Sequence, residues 1–231
     1  MQPAEYTDHD NADGGGAAMG AFGIDVSRFQ GNIDWGEVKR GGVEFAMLRA
    51  GFGTGSIDVQ FRKNAEGCTR HGIPFGVYWF SYAYTPQMAA DEAQQCFETV
   101  EDYDLAYPVC IDFEEDSVRY AATKGVTVTR ELATRIVENF CGRIEDLGYF
   151  AMYYSNLDFL ERMFDDRLKS RYALWFARYA KEPGISGAAI WQYSQRGRVN
   201  GIAGDVDLNT AMYDIAEVIR RKGLNRPPVI S

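Results

Sequence analysis

Short apolar runs recur along the chain from Phe22 onward, and polar or amphipathic segments separate them. Apolar runs of this length, bounded by turn-forming residues, are typical of buried β-strands. The pattern predicts eight strands, at residues 22–27, 45–50, 75–81, 107–114, 150–155, 173–179, 188–194 and 205–209.

Helical patterns lie between the early strands. Thr129 is a suitable N-cap and Gly148 a suitable stop, and the apolar residues between them recur at the spacing of one helix face. These apolar positions are Leu132, Ile136, Val137, Phe140, Ile144 and Leu147. Pro86 likewise predicts the start of a helix that runs to about Val100.

The order of these elements predicts a barrel. Alternating strands and helices favour a parallel sheet, and eight strands favour a closed one. The centres of the last three strands, near Trp175, Trp191 and Asp207, are 16 residues apart. Because a crossover helix needs about 10 to 12 residues besides the strands, we expect an α/β barrel whose final strands have lost their helices.

The domain organisation follows from length and local composition. A chain of 231 residues with 46% hydrophobic residues can bury one substantial core. Residues 1–20 are polar and contain three consecutive glycines, which predicts a flexible leader or linker. We expect the barrel domain at residues 21–220 and a C-terminal tail at residues 221–231.

Charge and rare residues exclude several function classes. The formal net charge of -9 disfavours nucleic acid and anionic membranes as partners. The two histidines, His9 and His71, are too few for a multi-histidine metal site, and we expect no metal or other cofactor. The sequence contains no run of 18 apolar residues, so no membrane span is predicted, and no intact signal peptide is recognisable. The four cysteines match no metal or redox spacing, so we expect buried thiols, with a disulfide as the alternative.

The sharpest chemical signal lies in the fourth predicted strand. Side chains alternate along a strand, so Val109, Ile111 and Phe113 face one way while Asp112 and Glu114 face the other. Barrels of this kind build their active sites at the C-terminal ends of the strands. The two carboxylates are therefore predicted to point into the barrel mouth, whereas the alternative is a pair of solvated surface charges.

Two further acids repeat this pattern in the first and last strands. Asp25 faces away from its apolar neighbours, and so does Asp207. Closing the barrel makes these strands neighbours, so both acids are expected near Asp112 and Glu114. Crowded, desolvated carboxylates have raised pKa values, which is the condition for a general acid. A calcium or magnesium site is the competing use of such a cluster.

Aromatic and polar side chains accompany the acids on the same predicted face. We expect substrate contacts from Tyr78, Phe80, Tyr154, Trp175, Gln192 and Arg49. Aromatic rings at this density suit stacking on sugar rings, although each ring could equally be part of the core. Arg49 could hydrogen-bond an anionic or amide-bearing group, or form a salt bridge to one of the acids.

A series of short motifs runs from about Gly23 to Asn209. They are Gly23-Ile24-Asp25-Val26-Ser27, Phe29-Gln30-Gly31, Ile33-Asp34-Trp35, Phe75-Gly76-Val77-Tyr78-Trp79, Asp112-Phe113-Glu114, Tyr154-Ser155-Asn156, Leu174-Trp175-Phe176-Ala177-Arg178-Tyr179, Trp191-Gln192-Tyr193 and Asp207-Leu208-Asn209. Taken together, these motifs resemble the family 25 glycoside hydrolases, which are lysozymes of the N-acetylmuramidase type. Their order and spacing, rather than any single motif, are specific.

The resemblance implies a modified TIM-like barrel, (β/α)5(β)3, and cleavage of the β-1,4 bond between N-acetylmuramic acid and N-acetylglucosamine in peptidoglycan. It implies that Glu114 is the general acid and that Asp112 stabilises charge or orients the substrate acetamido group. Asp25 and Asp207 would complete the acidic centre. Inversion, a protein nucleophile and attack by the substrate acetamide all remain open, because strand positions i and i+2 lie roughly 6.6 Å apart and rotamers move the carboxyls further.

Two competing functions remain on the sequence. One is a non-catalytic peptidoglycan-binding protein on the same fold, and the other is a metal-dependent phosphoesterase. For the muramidase we expect a bacteriolytic monomer that acts on peptidoglycan glycan strands. Its expected location is extracellular or at the cell wall, with phage-type release from the cytoplasm as the alternative.

Overall fold

A computed structural model of the chain describes residues 20–225. The predicted leader lies outside the described residues except for Gly20, and so does the predicted tail from residue 226 onward.

Within residues 20–225 nine strands form one sheet. They are β1 (Phe22–Val26), β2 (Phe45–Phe52), β3 (Ser56–Ile57), β4 (Phe75–Phe80), β5 (Val109–Asp112), β6 (Ala151–Asn156), β7 (Ala173–Ala177), β8 (Ala188–Gly197) and β9 (Val206–Ala211). All eight predicted strands are present, and β3 is a short addition that pairs only with the end of β2.

The sheet closes into an eight-stranded barrel because β1 pairs with both β2 and β9. The remaining order is β9-β8-β7-β6-β5-β4-β2, with β3 outside the barrel. Neither the β7–β8 nor the β8–β9 connection contains a helix, which confirms the prediction for the final strands.

One strand runs against the predicted direction. β9 is antiparallel to both β1 and β8, whereas the alternation of strands and helices favoured parallel pairing. The reason is the length of the connection: residues 198–205 are too few for a crossover, but they suffice for an antiparallel return. The predicted parallel pairing is therefore wrong for β9.

Eight α-helices and one 3-10 turn complete the described chain. They are the 3-10 turn (Arg28–Gln30), α1 (Trp35–Arg40), α2 (Phe61–His71), α3 (Pro86–Val100), α4 (Glu115–Thr123), α5 (Arg130–Asp146), α6 (Leu157–Met163), α7 (Asp166–Arg171) and α8 (Ile215–Lys222). The two helices predicted in detail, α3 and α5, are confirmed. Thr85 and Thr129 cap them by accepting hydrogen bonds from Met88 N and Leu132 N, each at 3.2 Å.

The core has two parts. The larger one lies between the outer face of the barrel and the helices, and it includes Val77, Ile111 and Phe140. The smaller one fills the lower barrel, with Met47, Cys110, Met152 and Trp175 among its members. The interior is therefore packed except at the end where the parallel strands terminate.

The opposite end of the barrel is closed by α8. Ile215 and Ile219 of this helix are buried with Phe45, Tyr107 and Phe150, which lie where β2, β5 and β6 begin. Among residues 20–225, the end of the barrel opposite α8 is therefore the open mouth.

Asn225 fastens the segment after α8 to the same closed end. Its side chain donates to the carbonyls of Leu105 and Tyr107 at 3.0 and 2.8 Å, and it accepts a hydrogen bond from Phe150 N at 2.7 Å. The side chain is buried, so these bonds replace the water that the carbonyls would otherwise require.

The four cysteines are free thiols. Cys68, Cys96, Cys110 and Cys141 are all buried and unpaired, as predicted.

Across the described part of the chain, every helix is too short or too polar to cross a membrane.

Candidate active site

The four predicted acids meet at the open mouth of the barrel. Asp25 lies near the end of β1 and Asp207 near the start of β9, where the two residues are direct partners across the strands. Asp112 is the last residue of β5, and Glu114 immediately precedes α4. All four line one cavity of about 350 Å³, so the predicted convergence is present in the structure.

The remaining predicted site residues line the same cavity. They are Tyr78, Phe80, Tyr154, Trp175, Gln192 and Arg49. Trp175 forms the floor between two tyrosines, with its ring centroid 5.8 Å from that of Tyr78 and 5.3 Å from that of Tyr154, both edge-on. The structure thus brings every predicted site residue together, while their roles in substrate binding remain predictions.

Asp25 is held by two side-chain amides. Gln192 Nε2 and Asn209 Nδ2 each donate to its Oδ2 at 2.8 Å. The indole nitrogen of Trp175 donates to Asn209 Oδ1, also at 2.8 Å. The orientation of the Asn209 amide is therefore fixed, and with it the direction from which Asp25 receives its hydrogen bond.

Gln192 extends this network to the cavity wall. Its Oε1 accepts hydrogen bonds from the hydroxyls of Tyr154 and Tyr179, each at 3.2 Å. With its oxygen so occupied, the amide must direct its nitrogen toward Asp25. A chain of hydrogen bonds therefore connects a half-exposed tyrosine on the surface to a buried carboxyl group.

Burial governs the protonation of the Asp25 and Asp207 pair. Burial, followed by the neighbouring charge of Asp207, raises the pKa of Asp25 to about 8. The hydrogen bonds from Asn209 and Gln192 act in the opposite direction and do not offset burial. Burial also raises the pKa of Asp207, to about 6.

Asp112 and Glu114 form a second pair of perturbed carboxyl groups. Burial, followed by the charges of Glu114 and Asp25, raises the pKa of Asp112 well above its ordinary value, while Arg49 opposes the shift. The pKa of Glu114 is raised by burial and then by the charge of Asp116. Such a pair retains a proton at a pH where isolated carboxyl groups have lost theirs.

Asp112 differs from Asp25 in having a fully buried acceptor atom without a partner. Its Oδ1 is buried and has no hydrogen-bond partner among residues 20–225. A buried acceptor without a partner costs about 1–3 kcal/mol. A substrate donor in the cavity would satisfy it.

Arg49 forms a salt bridge to an acid outside the predicted four. Its Nε and Nη2 both lie 2.7 Å from Asp58 Oδ2, and Asp58 is buried. The guanidinium also lies between the rings of Phe29 and Phe52, 5.1 and 5.5 Å from their centroids. Arg49 is therefore immobilised at the rim, from which its charge reaches Asp112.

Sequence reasoning missed three residues of this arrangement. Asn209 carries a detectable signal, because it shares the strand face of Asp207. Tyr179 is likewise in phase with Trp175, although it follows the end of β7. Asp58 has no such signal, because it lies in the turn before α2 and reaches Arg49 only through the fold.

The titratable side chains do not form an evident metal centre. Across residues 20–225, no group of three or more histidine, cysteine, aspartate or glutamate side chains has an arrangement that could hold a metal ion. The hydrogen bonds into Asp25 come instead from amides, which are donors to a carboxylate and not metal ligands through their nitrogen atoms.

The chain is similar to several known proteins. Residues 24–202 match the family described as Glycosyl hydrolases family 25. The uncharacterized protein YegX of Escherichia coli O157:H7 is 30% identical over 216 residues, which cover 90% of this chain and 70% of YegX. The autolytic lysozyme of Clostridium acetobutylicum is 28% identical, over 81% of this chain and 54% of its own.

The chain is also similar to a protein of known structure. The modular autolysin LytC of Streptococcus pneumoniae, determined in complex with a synthetic peptidoglycan ligand, is 25% identical and superposes with a TM-score of 0.69. The match covers 82% of this chain and 46% of LytC. The family match spans most of the barrel and includes three of the four acids, Asp25, Asp112 and Glu114. The chain belongs to the glycosyl hydrolases of family 25 and is a glycoside hydrolase.

Proposed function

We propose that the acidic cavity hydrolyses the β-1,4 bond between N-acetylmuramic acid and N-acetylglucosamine in bacterial peptidoglycan. The similarity to an autolytic lysozyme and to an autolysin that binds a peptidoglycan ligand supports this substrate. The observation that carries the proposal is the pair Asp112 and Glu114, two carboxyl groups with raised pKa values on one wall of a cavity lined with aromatic rings.

Glu114 is the general acid of this proposal. It lines the cavity at the start of α4, and its backbone N–H donates to Ser117 Oγ at 3.2 Å, which fixes the turn that carries it. The protonated carboxyl gives its proton to the glycosidic oxygen while the bond from that oxygen to C1 breaks. The resulting carboxylate then accepts a proton from the water that completes hydrolysis.

Asp112 positions the reacting acetamide. Its buried, unpartnered Oδ1 suits the N–H of the 2-acetamido group of the muramic acid residue. With that N–H held, the acetamide oxygen can bond to C1 as the leaving group departs, and water later displaces it. Asp25 is less suited to act as a nucleophile, because its Oδ2 already accepts hydrogen bonds from Gln192 and Asn209.

Asp25 and Asp207 supply the electrostatic environment in which this pair works. The two residues are direct partners across β1 and β9, so a pair of carboxyl groups that shares protons and negative charge lies at the barrel mouth. An oxocarbenium-like transition state carries positive charge, so nearby carboxylates stabilise it more than the neutral substrate. In this proposal the rings of Tyr78, Tyr154 and Trp175, which line the cavity, pack against the sugar.

Analysis of reaction products tests the proposal. Purified peptidoglycan is digested, reduced with borohydride and examined by mass spectrometry for the reduced sugar at the new chain ends. Reduced N-acetylmuramic acid is expected, while reduced N-acetylglucosamine would assign the cut to the other glycosidic bond. NMR of the first-formed anomer is expected to show retention, and inversion would overturn the acetamide route.

We infer a bacteriolytic monomer that acts outside the cell or at the cell wall, since its polymeric substrate lies there. Adding the protein to a suspension of intact cells is expected to lower its turbidity. Analytical sedimentation is expected to give the mass of one chain. Lysis only after membrane permeabilisation would favour release from the cytoplasm instead.

A further inference from the structure

A second groove opens directly beside the acidic cavity. It has a volume of about 430 Å³, and its lining includes Tyr179, Lys181, Tyr193, Gln195 and Arg196. Tyr179 and Gln195 line both the groove and the cavity, so the two spaces are continuous at these side chains. The catalytic steps proposed above use none of the side chains that belong to the groove alone.

The walls of the groove are anchored to the barrel. Arg178, at the start of one wall, donates its backbone N–H to Gln192 O at 3.0 Å and accepts the indole N–H of Trp191 at 2.9 Å. Its guanidinium donates to Pro183 O at 2.8 Å and so braces the β7–β8 loop. These contacts hold one wall of the groove against the barrel.

The opposite wall is shaped by irregularities in β8. The pairing of β8 with β9 shifts register between Gln192 and Ser194, and again between Ser194 and Gly197. Such bulges redirect side chains and are frequent next to active sites. Here they accompany the placement of Gln195 against the cavity and of Arg196 in the groove.

The groove also differs from the cavity in charge. Lys181 and Arg196 are exposed, and their side chains form no ion pair or hydrogen bond within residues 20–225. These two cations stand beside a four-carboxylate centre in a chain of net charge -9. An anionic substituent would be repelled by the cavity and attracted to the groove.

The proposed substrate carries such a substituent. The muramic acid residue bears a lactyl ether at C3, to which the stem peptide is joined, and stem peptides carry free carboxylates. We propose that the groove binds the anionic stem peptide of the muramic acid residue held in the cavity. Lys181 and Arg196 contact the carboxylates of the peptide, and Tyr179 and Tyr193 contact its apolar side chains. This inference rests on the proposed function.

The test compares a peptide-bearing substrate with a peptide-free one, which carries a free lactyl carboxylate where each peptide was joined. One is peptidoglycan free of teichoic acid, and the other is the same glycan after an amidase has removed the peptides. For Lys181→Gln/Arg196→Gln, the ratio of kcat/KM on peptide-bearing to peptide-free glycan is expected to fall about fivefold, the size expected of two exposed charge contacts. The loss should lie in KM, because the contacts act equally before and during the reaction.

A matched control removes the same charges elsewhere. Lys63→Gln/Arg221→Gln replaces exposed residues of α2 and α8 that line neither the cavity nor the groove, and it should keep the wild-type ratio. Raising the ionic strength from 0.05 to about 0.5 M should lower the ratio for wild type and not for the double variant.

The possible outcomes separate the two levels of the proposal. An unchanged ratio in Lys181→Gln/Arg196→Gln, or an equal fall in the control, would show that the groove does not read the stem peptide. Wild-type protein that releases no muramic acid ends from either substrate would instead contradict the proposed function. Charge reversal by Lys181→Glu/Arg196→Glu should deepen the fall in the ratio, and a ratio restored by reversal would also overturn the proposal.

Discussion

Asp25 and Asp112 are carboxyl groups of one cavity, yet the fold surrounds them differently. Asp25 receives two amide hydrogen bonds at 2.8 Å, and the amides are themselves oriented by Trp175 and two tyrosines. Asp112 Oδ1 is buried with no partner among residues 20–225. Both have raised pKa values, and burial is the largest cause in each case.

The difference indicates that the surroundings of Asp25 stabilise the fold, whereas those of Asp112 leave it available to a substrate. A network that satisfies a buried carboxyl group fixes its position and limits the motion of the strands that carry it. An acceptor without a partner stores an unfavourable desolvation that a substrate can relieve. We therefore expect substitutions in the Asp112 and Glu114 pair to affect turnover most, and substitutions around Asp25 to affect stability as well.

The largest effect is expected from Glu114→Gln. Removing the transferable proton should lower kcat about 10³-fold, within the range for general acid catalysis, while the thermal midpoint stays equal or rises. Release of dye from labelled peptidoglycan and thermal unfolding measure the two quantities. Glu115→Gln, at the next and more exposed position, is the control and should retain activity. A loss of less than tenfold in Glu114→Gln would refute its role.

Asp112→Asn should lower kcat by about 10²-fold, because the substituted amide lacks the negative charge that would hold the substrate N–H. Its melting temperature should not fall, since Oδ1 has no partner to lose. The corresponding change at the other acid, Asp25→Asn, should shift the melting temperature. Equal effects of both substitutions on stability would erase the distinction between the two acids.

Stability should depend on pH with a definite sign. Burial raises the pKa of Asp25 to about 8 and that of Glu92, which is buried on α3 outside the cavity, to about 7. Because the folded protein then binds more protons than the unfolded chain, stability is highest in mild acid and declines as pH rises from about 4 to about 8.

Thermal unfolding at pH 5 and pH 8 measures this decline. We expect a loss on the order of 6 kcal/mol from these two groups, or about 12–24 °C in melting temperature. Asp25→Asn and Glu92→Gln should each reduce the difference, and only Asp25→Asn should also reduce activity. A melting temperature that increases between pH 5 and pH 8 would contradict the assigned shifts.

The smallest effect is expected at the outer end of the network. Tyr179→Phe removes one of the two hydroxyls that donate to Gln192 Oε1, while the Tyr154 hydroxyl remains at 3.2 Å. We expect about a threefold loss in kcat/KM and a stability change below about 1 kcal/mol. Tyr154→Phe is the matched variant and should cost more, because the Tyr154 side chain is less exposed than that of Tyr179 and water replaces its lost hydrogen bond less readily. A larger loss in Tyr179→Phe than in Tyr154→Phe would show that the exposed Tyr179 hydroxyl is the one that orients the Gln192 amide.

Much of the site could be predicted from the sequence because strand alternation is local. The period of two assigns Asp112 and Glu114 to one face without knowledge of any partner strand, and the same holds for Asp25 and Asp207. Asn209 was missed although it obeys the same rule. Asp58 could not be found this way, because its contact with Arg49 depends on how the turn before α2 folds back.

The sequence alone determined which residues form strands, which faces turn inward and that the last two connections are too short for helices. Tertiary structure decided the direction of β9. Asp207 lies near the start of that strand, so a parallel β9 would have carried it toward the end closed by α8. Antiparallel pairing instead sets Asp207 opposite Asp25 at the open mouth. Alternation is set by the backbone of each strand, whereas direction and neighbours are set by closure of the whole barrel.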